Sequence, residues 1–167
     1  YHGLVKKGFF PRNILDIGCG TGILSIIASK FGKSRIMSVD IDQIAVDTAK
    51  HNLIKNNVSY KCLVKKSDGF YNYNVKTRSK FDLIFANILF QPLQKMVKEV
   101  NKHLVSQGHI ILSGISLSQA IKLKAIYSGH GFKIIESLRE GSWNAIVMQK
   151  CKKKIHTNLL SFSYNSI

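Results

Sequence analysis

Three alternating glycines mark the stretch of this chain with the clearest potential for chemistry. They are Gly18, Gly20 and Gly22, and an apolar run precedes them. That run carries a single carboxylate, Asp16. Glycine permits positive φ and the close approach of a ligand to the backbone, and the helix predicted to begin at Ile23 adds free N–H groups and a positive dipole end. The stretch therefore predicts a strand, a tight turn and a helix that together hold a ligand.

The spacing of these glycines narrows the choice of ligand. It is G-x-G-x-G, whereas the dinucleotide fingerprint is G-x-G-x-x-G. A carboxylate two residues before the first glycine is also foreign to that fingerprint, but it suits a ligand with an ammonium group. S-adenosylmethionine has an amino-acid tail and no phosphate, so we predict it as the cofactor, bound by Asp16 and the three glycines. The alternative is that the glycine turn only lets the first helix pack on the sheet.

Two further carboxylates follow predicted strands. Asp40 ends the second strand about twenty residues after the glycines, where an acidic residue can accept both hydroxyls of a ribose. The alternative makes Asp40 a turn residue beside Asp42, but Asp42 has the separate role of a predicted helix N-cap. Asp68 follows the third strand, and we expect it either to accept a hydrogen bond from an adenine amino group or to form a turn with Gly69.

Asn87 is the candidate catalytic residue. It follows the apolar run from Phe81 to Ala86, which is typical of a central strand buried on both faces. Methyl transfer to an amine needs a neutral lone pair, and a side-chain carbonyl can accept a hydrogen bond from that amine and aim the lone pair. The alternative is an asparagine that ends a strand by bonding to local backbone.

These residues need a sheet to bring them together, and the apolar pattern predicts one. Strands are predicted over 13–18, 35–40, 58–66, 81–86, 108–113, 132–138 and 143–148. Helices are predicted over 23–31, from the Asp42 cap to about 56, and over 91–104 and 117–128. Residues 70–80 are expected to form a polar loop, and the short break at 139–142 predicts a hairpin with one antiparallel strand.

This order predicts a Rossmann-like α/β fold of the class I methyltransferase type. We expect a mostly parallel seven-stranded sheet with a C-terminal antiparallel hairpin and helices on both faces. Open sheets of this kind bind ligands at the carboxyl ends of their strands. Five of the nine acidic residues lie at or near predicted strand ends: Asp16, Asp40, Asp42, Asp68 and Asp82.

Length and composition set the domain organisation. A chain of 167 residues suits one domain with its own core, and we expect a lead segment over 1–12, the domain over 13–150 and a basic tail over 151–167 that loses any clear pattern. No apolar run approaches the ~20 residues of a membrane span. The cysteines show no paired metal spacing, so we expect no metal site and a cytoplasmic protein with reduced thiols.

The formal net charge of +16 is high. Basic residues attract nucleic acid, but nearly all of those here are lysine, and arginine is the better residue for bidentate phosphate contacts. Two interpretations stay open at this point: a functional basic surface that attracts RNA, or a compositional bias without function.

The longer motifs resemble a particular family. The glycine motif is common to many methyltransferases, but Ala86-Asn-Ile-Leu-Phe-Gln-Pro-Leu and Ile111-Leu-Ser-Gly-Ile are much more specific. Together with Val39-Asp-Ile-Asp and Glu140-Gly-Ser-Trp, they resemble the bacterial methyltransferases that modify large-subunit ribosomal protein eleven. The likeness spans about residues 13–150.

The resemblance implies cofactor contacts at Gly18, Asp40 and Asn87, and methyl acceptors that are amines, namely lysine side chains and the N-terminal amine of the ribosomal protein. That family also carries an N-terminal substrate-recognition domain and a Gly- and Thr-rich segment before the first strand. Only His2-Gly3 resembles a remnant of that segment. We therefore expect this chain to be the catalytic domain alone.

Two other functions remain as alternatives. The charge favours an RNA methyltransferase, but the amino-methylating motif of those enzymes has Pro-Pro-aromatic after the asparagine, and Ile88-Leu89-Phe90 has neither proline. The third possibility is a non-enzymatic methyltransferase-fold remnant that binds ribosomal components by charge.

Overall fold

The computed structural model describes residues 1–71, 75 and 80–152. Most of the predicted polar loop and nearly all of the predicted basic tail lie outside these residues. Within them, no helix is both long enough and apolar enough to span a bilayer.

The described strands form one seven-stranded sheet in the order β3-β2-β1-β4-β5-β7-β6. The strands are β1 Asn13–Ile17, β2 Arg35–Asp40, β3 Cys62–Lys66, β4 Phe81–Asn87, β5 Leu104–Ile115, β6 Phe132–Glu140 and β7 Trp143–Lys150. Strands β1 to β5 pair in parallel, whereas β7 runs antiparallel to both β5 and β6. The predicted fold class is therefore confirmed, including its C-terminal hairpin.

Helices cover both faces of this sheet. They are α1 His2–Lys6, α2 Ile23–Lys30, α3 Gln43–Lys55, α4 Phe90–Lys95, α5 Val97–His103 and α6 Leu117–Gly129. Asp42 is the N-cap of α3, as predicted, and its side chain accepts a hydrogen bond from the Ile44 N–H at 2.9 Å. Ser116 and Gln119 form a reciprocal capping box at the start of α6.

Several predicted boundaries were wrong. The predicted helix over 91–104 is two helices that meet at Met96, and it stops before Leu104, which already pairs with β4 as the first residue of β5. The predicted strand over 58–66 begins only at Cys62, because a 3-10 turn over Ser59–Lys61 precedes it. The lead segment contains the short helix α1, which packs Leu4 into the core.

The core lies in two layers, because successive residues of each strand face opposite sides of the sheet. In β1, Leu15 and Ile17 belong to the cluster that includes side chains of α4, α5 and α6, whereas Ile14 belongs to the cluster that includes Leu4 and Ala28. A strand buried on both faces reads as a continuous apolar run. The parallel register of β1, β2 and β4 brings their carboxyl ends to one edge of the sheet.

Candidate functional site

A cavity of about 580 Å³ opens at the carboxyl ends of β1, β2 and β4. Small-molecule sites in proteins span roughly 300–1,000 Å³, so its volume suits a ligand of nucleoside size. Four of the predicted site residues line it: Gly18, Asp40, Asp68 and Asn87. The rest of its wall is mainly apolar and consists of Ile17, Ile41, Ser67, Gly69, Ile88, Leu89, Pro92, Gly114 and Trp143.

The glycine turn between β1 and α2 has the left-handed backbone that the sequence predicts. Gly18, Gly20 and Gly22 have φ of +68°, +52° and +80°. A β-carbon on Gly18 would overlap the side chain of Ile88, and one on Gly22 would lie 3.2 Å from the Cβ of Ala49. Gly18 alone of the three lines the cavity, so Gly20 and Gly22 shape the turn behind it.

Asp40 ties this turn to the end of β2. Its Oδ2 accepts a hydrogen bond from the Gly20 N–H at 2.9 Å, and its Oδ1 accepts one from the Asp42 N–H at 3.0 Å. A carboxylate oxygen can accept a second hydrogen bond, and the half-buried Asp40 lines the cavity. The carboxylate therefore fixes the backbone of the site and retains acceptor capacity for hydroxyl groups.

Asp16 lies beneath the turn rather than in the cavity. It is fully buried, and its Oδ2 accepts a hydrogen bond of 2.6 Å from the hydroxyl of Ser25, which lies 2.7 Å from that of Ser38. Burial raises the pKa of this carboxyl to about 6, and the Ser25 hydrogen bond only partly offsets that rise. The predicted contact with a ligand ammonium needs an exposed oxygen, and Asp16 offers none in this conformation.

Asp82 also departs from the predicted cluster of carboxylates. It lies near the amino end of β4, at the opposite edge of the sheet. Its Oδ2 accepts hydrogen bonds of 2.8 Å from the N–H groups of both Arg12 and Asn13. Asp82 therefore fastens the lead segment to the sheet.

Both predicted roles of Asp68 are compatible with its position. Its backbone carbonyl accepts a hydrogen bond of 3.1 Å from the Tyr71 N–H, which makes it a turn residue. The side chain is exposed and lines the cavity, so its carboxylate is available to a ligand.

Asn87 is the last residue of β4 and its side chain is exposed at the cavity. It pairs with Ser113 of β5, so the next residue of β5, Gly114, lies beside its side chain. A β-carbon on Gly114 would overlap the Oδ1 of Asn87. Sequence reasoning did not identify Gly114 as a site residue, although the specific Leu-Ser-Gly-Ile motif contains it.

Trp143 is a second residue that sequence reasoning did not place in the site. It begins β7, and the antiparallel return of that strand beside β5 brings it to the cavity. Its side chain is 64% exposed. In the sequence, only the resemblance of the Glu-Gly-Ser-Trp stretch to the family pointed to Trp143.

Comparisons with known proteins agree with this geometry. Residues 3–151 match the family model for ribosomal protein L11 methyltransferase (PrmA). The chain is 40% identical over 139 residues to the ribosomal protein L11 methyltransferase of Allorhizobium ampelinum, covering 83% of this chain and 48% of that protein. It is 39% identical over 146 residues to the one of Thermosipho africanus, covering 87% and 52%. The chain thus spans about half the length of the curated relatives it matches.

Solved structures give the same result. The crystal structure of a ribosomal protein L11 methylase from Lactobacillus delbrueckii subsp. bulgaricus superimposes with a TM-score of 0.80 at 28% identity, over 90% of this chain and 76% of that chain. The N-methyltransferase NodS from Bradyrhizobium japonicum, solved with S-adenosyl-L-homocysteine, has a TM-score of 0.71 at 14% identity, over 90% and 85%. This second likeness shows the fold alone.

Proposed function

The chain belongs to the ribosomal protein L11 methyltransferase (PrmA) family, and from that premise we propose that it transfers methyl groups from S-adenosylmethionine to amino groups of ribosomal protein L11. The acceptors are lysine side chains and the N-terminal amine. The proposal rests on one observation: Gly18, Asp40 and Asn87 line the same cavity. Because the chain covers about half of its relatives, the proposal concerns the catalytic step rather than substrate docking.

The residues of the cavity fit S-adenosylmethionine. We assign Gly18 to the amino-acid part, because its missing side chain lets a ligand approach the backbone. Asp40 has acceptor capacity for the ribose hydroxyls, and Asp68 offers a carboxylate for the adenine amino group. When bound, this donor supplies a methyl group on a positively charged sulfur, and the amine nitrogen takes the methyl while the electron pair of the broken C–S bond stays on sulfur.

Asn87 has the role of positioning the acceptor amine. Its side-chain carbonyl accepts a hydrogen bond from the amine N–H, which aims the nitrogen lone pair. A lysine side chain has an ordinary pKa of about 10.4, so it has to lose its proton before it reacts. The described residues that line the cavity include no histidine to take that proton.

Calorimetry with S-adenosylmethionine tests the cofactor site. We expect saturable binding to the wild-type chain and its loss in Asp40→Ala. A folded wild-type chain that binds no cofactor would contradict the proposal. Transfer of a labelled methyl group to purified ribosomal protein L11 then tests the reaction, with ribosomal RNA as the parallel acceptor.

The parallel assay with ribosomal RNA tests whether the positive charge of the chain serves to bind RNA. A net charge of +16 supports contact with ribosomal RNA through a basic surface, in the cytoplasm where ribosomes are found. We expect RNA to bind without accepting methyl groups, and its affinity to fall steeply between 50 and 200 mM salt. Labelled RNA together with unlabelled L11 would favour the RNA methyltransferase instead.

A further inference from the structure

A second cavity of about 450 Å³ adjoins the cofactor cavity, lined by residues of β5 and of the β6–β7 hairpin. The two cavities share Gly114 and Trp143. The second one therefore leads to the place where Gly114 lies against Asn87. Its lining residues are Ser113, Gly114, Leu138, Arg139, Glu140, Trp143, Asn144 and Ala145.

The hairpin places an indole beside a carboxylate in this cavity. Glu140 and Trp143 are register partners of β6 and β7, and the side chains of such partners lie on one face of the sheet with Cβ atoms ~5 Å apart. Both side chains are exposed. The neighbouring Arg139 is held at the turn, where its Nε donates a hydrogen bond of 2.9 Å to the Gly141 carbonyl.

We propose that this second cavity admits the side chain of the acceptor lysine, with Glu140 attracting its ammonium group and Trp143 forming the wall along its path to Asn87. The inference rests on the proposed function and adds the route of the acceptor. An ammonium group is attracted to the face of an indole, and a lysine stem packs its methylenes against apolar surface. Leu138 and Ala145 supply that surface.

Glu140 is one of the few negative charges on a strongly basic chain. The chain has 25 Lys and Arg residues and only nine acidic ones, so most of its surface repels a cationic side chain. Glu140 is one of those nine, and it stands at the cavity that joins the cofactor site. Arg139 lines the same cavity, so the charges of the lining cancel, and it is the Glu140 carboxylate beside the indole of Trp143, not the total charge, that favours a cationic occupant.

The inference can be tested with fluorescence, because Trp143 is the only tryptophan in the chain. The probe is Nα-acetyl-lysine methylamide, titrated at neutral pH with and without S-adenosylhomocysteine. The uncharged control is the matching norleucine compound. We expect a saturable change in emission with the lysine probe and a response at least threefold weaker with the norleucine compound.

Two glutamate variants on β6 separate the effect of the Glu140 carboxylate from the effect of losing any negative charge. We expect Glu140→Gln to weaken binding of the lysine probe threefold to tenfold. Glu136→Gln is the matched control, because Glu136 lies elsewhere on β6 and contacts Lys7 at 3.7 Å. Equal responses to the lysine and norleucine probes, or equal effects of the two variants, would overturn the inference. So would a stronger response to adenosine monophosphate, which would indicate base stacking on Trp143.

Kinetics with ribosomal protein L11 give a second test. Trp143 borders both cavities, so we expect Trp143→Ala to raise the KM for L11 at least tenfold and the cofactor Kd by a clearly smaller factor, and Trp143→Phe to recover most of the loss in KM. A cofactor Kd that rises as much as the KM for L11 would assign Trp143 to the cofactor and overturn the inference. If the wild-type chain binds no cofactor, the proposed function fails, while the titration without S-adenosylhomocysteine still decides whether the cavity takes an amine.

Discussion

Gly114 lies so close to Asn87 that a β-carbon at position 114 would overlap the Oδ1 atom of the asparagine. The contact is fixed by backbone pairing, because Asn87 of β4 is the register partner of Ser113 of β5. Gly114 also has a φ of +74°, which disfavours any residue with a side chain. The backbone of β5 therefore limits where the side-chain amide of Asn87 can lie.

The first prediction concerns Gly114→Ala, which forces the Asn87 amide to move. A displacement of about 1 Å near a reacting centre can cost ~10²-fold in rate, so we expect kcat for methyl transfer to fall between tenfold and a hundredfold. Gly8→Ala is the matched control, since Gly8 has a φ of +84° but no atom within 4 Å of a β-carbon. A similar loss of kcat in both variants would show that backbone strain, not the Asn87 contact, is responsible.

The second prediction separates two neighbouring carboxylates. Asp40→Asn keeps the size of the side chain but weakens it as an acceptor for hydroxyls and for the Gly20 N–H, so we expect the Kd for S-adenosylmethionine to rise at least tenfold in calorimetry. Asp42→Ala removes the N-cap of α3, which costs about 1 kcal/mol of unfolding free energy, and leaves the Kd within twofold. The assignment of Asp40 fails if its variant binds the cofactor as the wild type does.

The third prediction concerns the pH dependence of stability. Burial raises the pKa of Asp16 to about 6 from an ordinary value of 3.8, so the folded state holds this proton more tightly than the unfolded state does. The associated stability is fully present below pH 4 and is lost as the pH rises through about 6, on the order of 3 kcal/mol in total. In urea unfolding, Asp16→Asn should lack this decline between pH 4 and pH 7.

Asp47 has the opposite effect on the pH dependence of stability. Asp47 on α3 is exposed, and hydrogen bonds from Gln43 and then from Lys50 lower its pKa. Its stabilising effect is therefore present at neutral pH and is lost on acidification. If Asp16→Asn followed the wild-type pH profile of unfolding, the buried carboxylate would not be the source of the decline.

The fourth prediction tests the core under the site. The hydroxyl of Tyr127 on α6 donates a hydrogen bond of 3.0 Å to the Leu93 carbonyl of α4, and both residues are fully buried. Tyr127→Phe removes this buried hydrogen bond, so we expect a loss of about 1 kcal/mol in unfolding free energy. The same change at Tyr60, whose side chain is 79% exposed, should be neutral in urea unfolding. Equal losses would argue against the buried hydrogen bond.

The sequence by itself determined the features that depend on residues close together in the chain. The glycines of the first turn, the Asp42 cap and the alternation of strands with helices were all predicted correctly from spacing and residue type. These features depend on local φ preferences, on hydrogen bonds to nearby N–H groups and on apolar periodicity. The fold class follows from their order along the chain.

Only the tertiary structure decided where the functional side chains lie relative to one another. The buried Asp16 of β1 accepts its hydrogen bond from Ser25 of α2, whose hydroxyl in turn meets that of Ser38 of β2. The close approach of Gly114 to Asn87 and the position of Trp143 depend on the order in which β4, β5 and β7 pair. Strand pairing joins residues far apart in sequence, and its register is set by the packing of the whole sheet, so residue spacing along the chain could not predict these contacts.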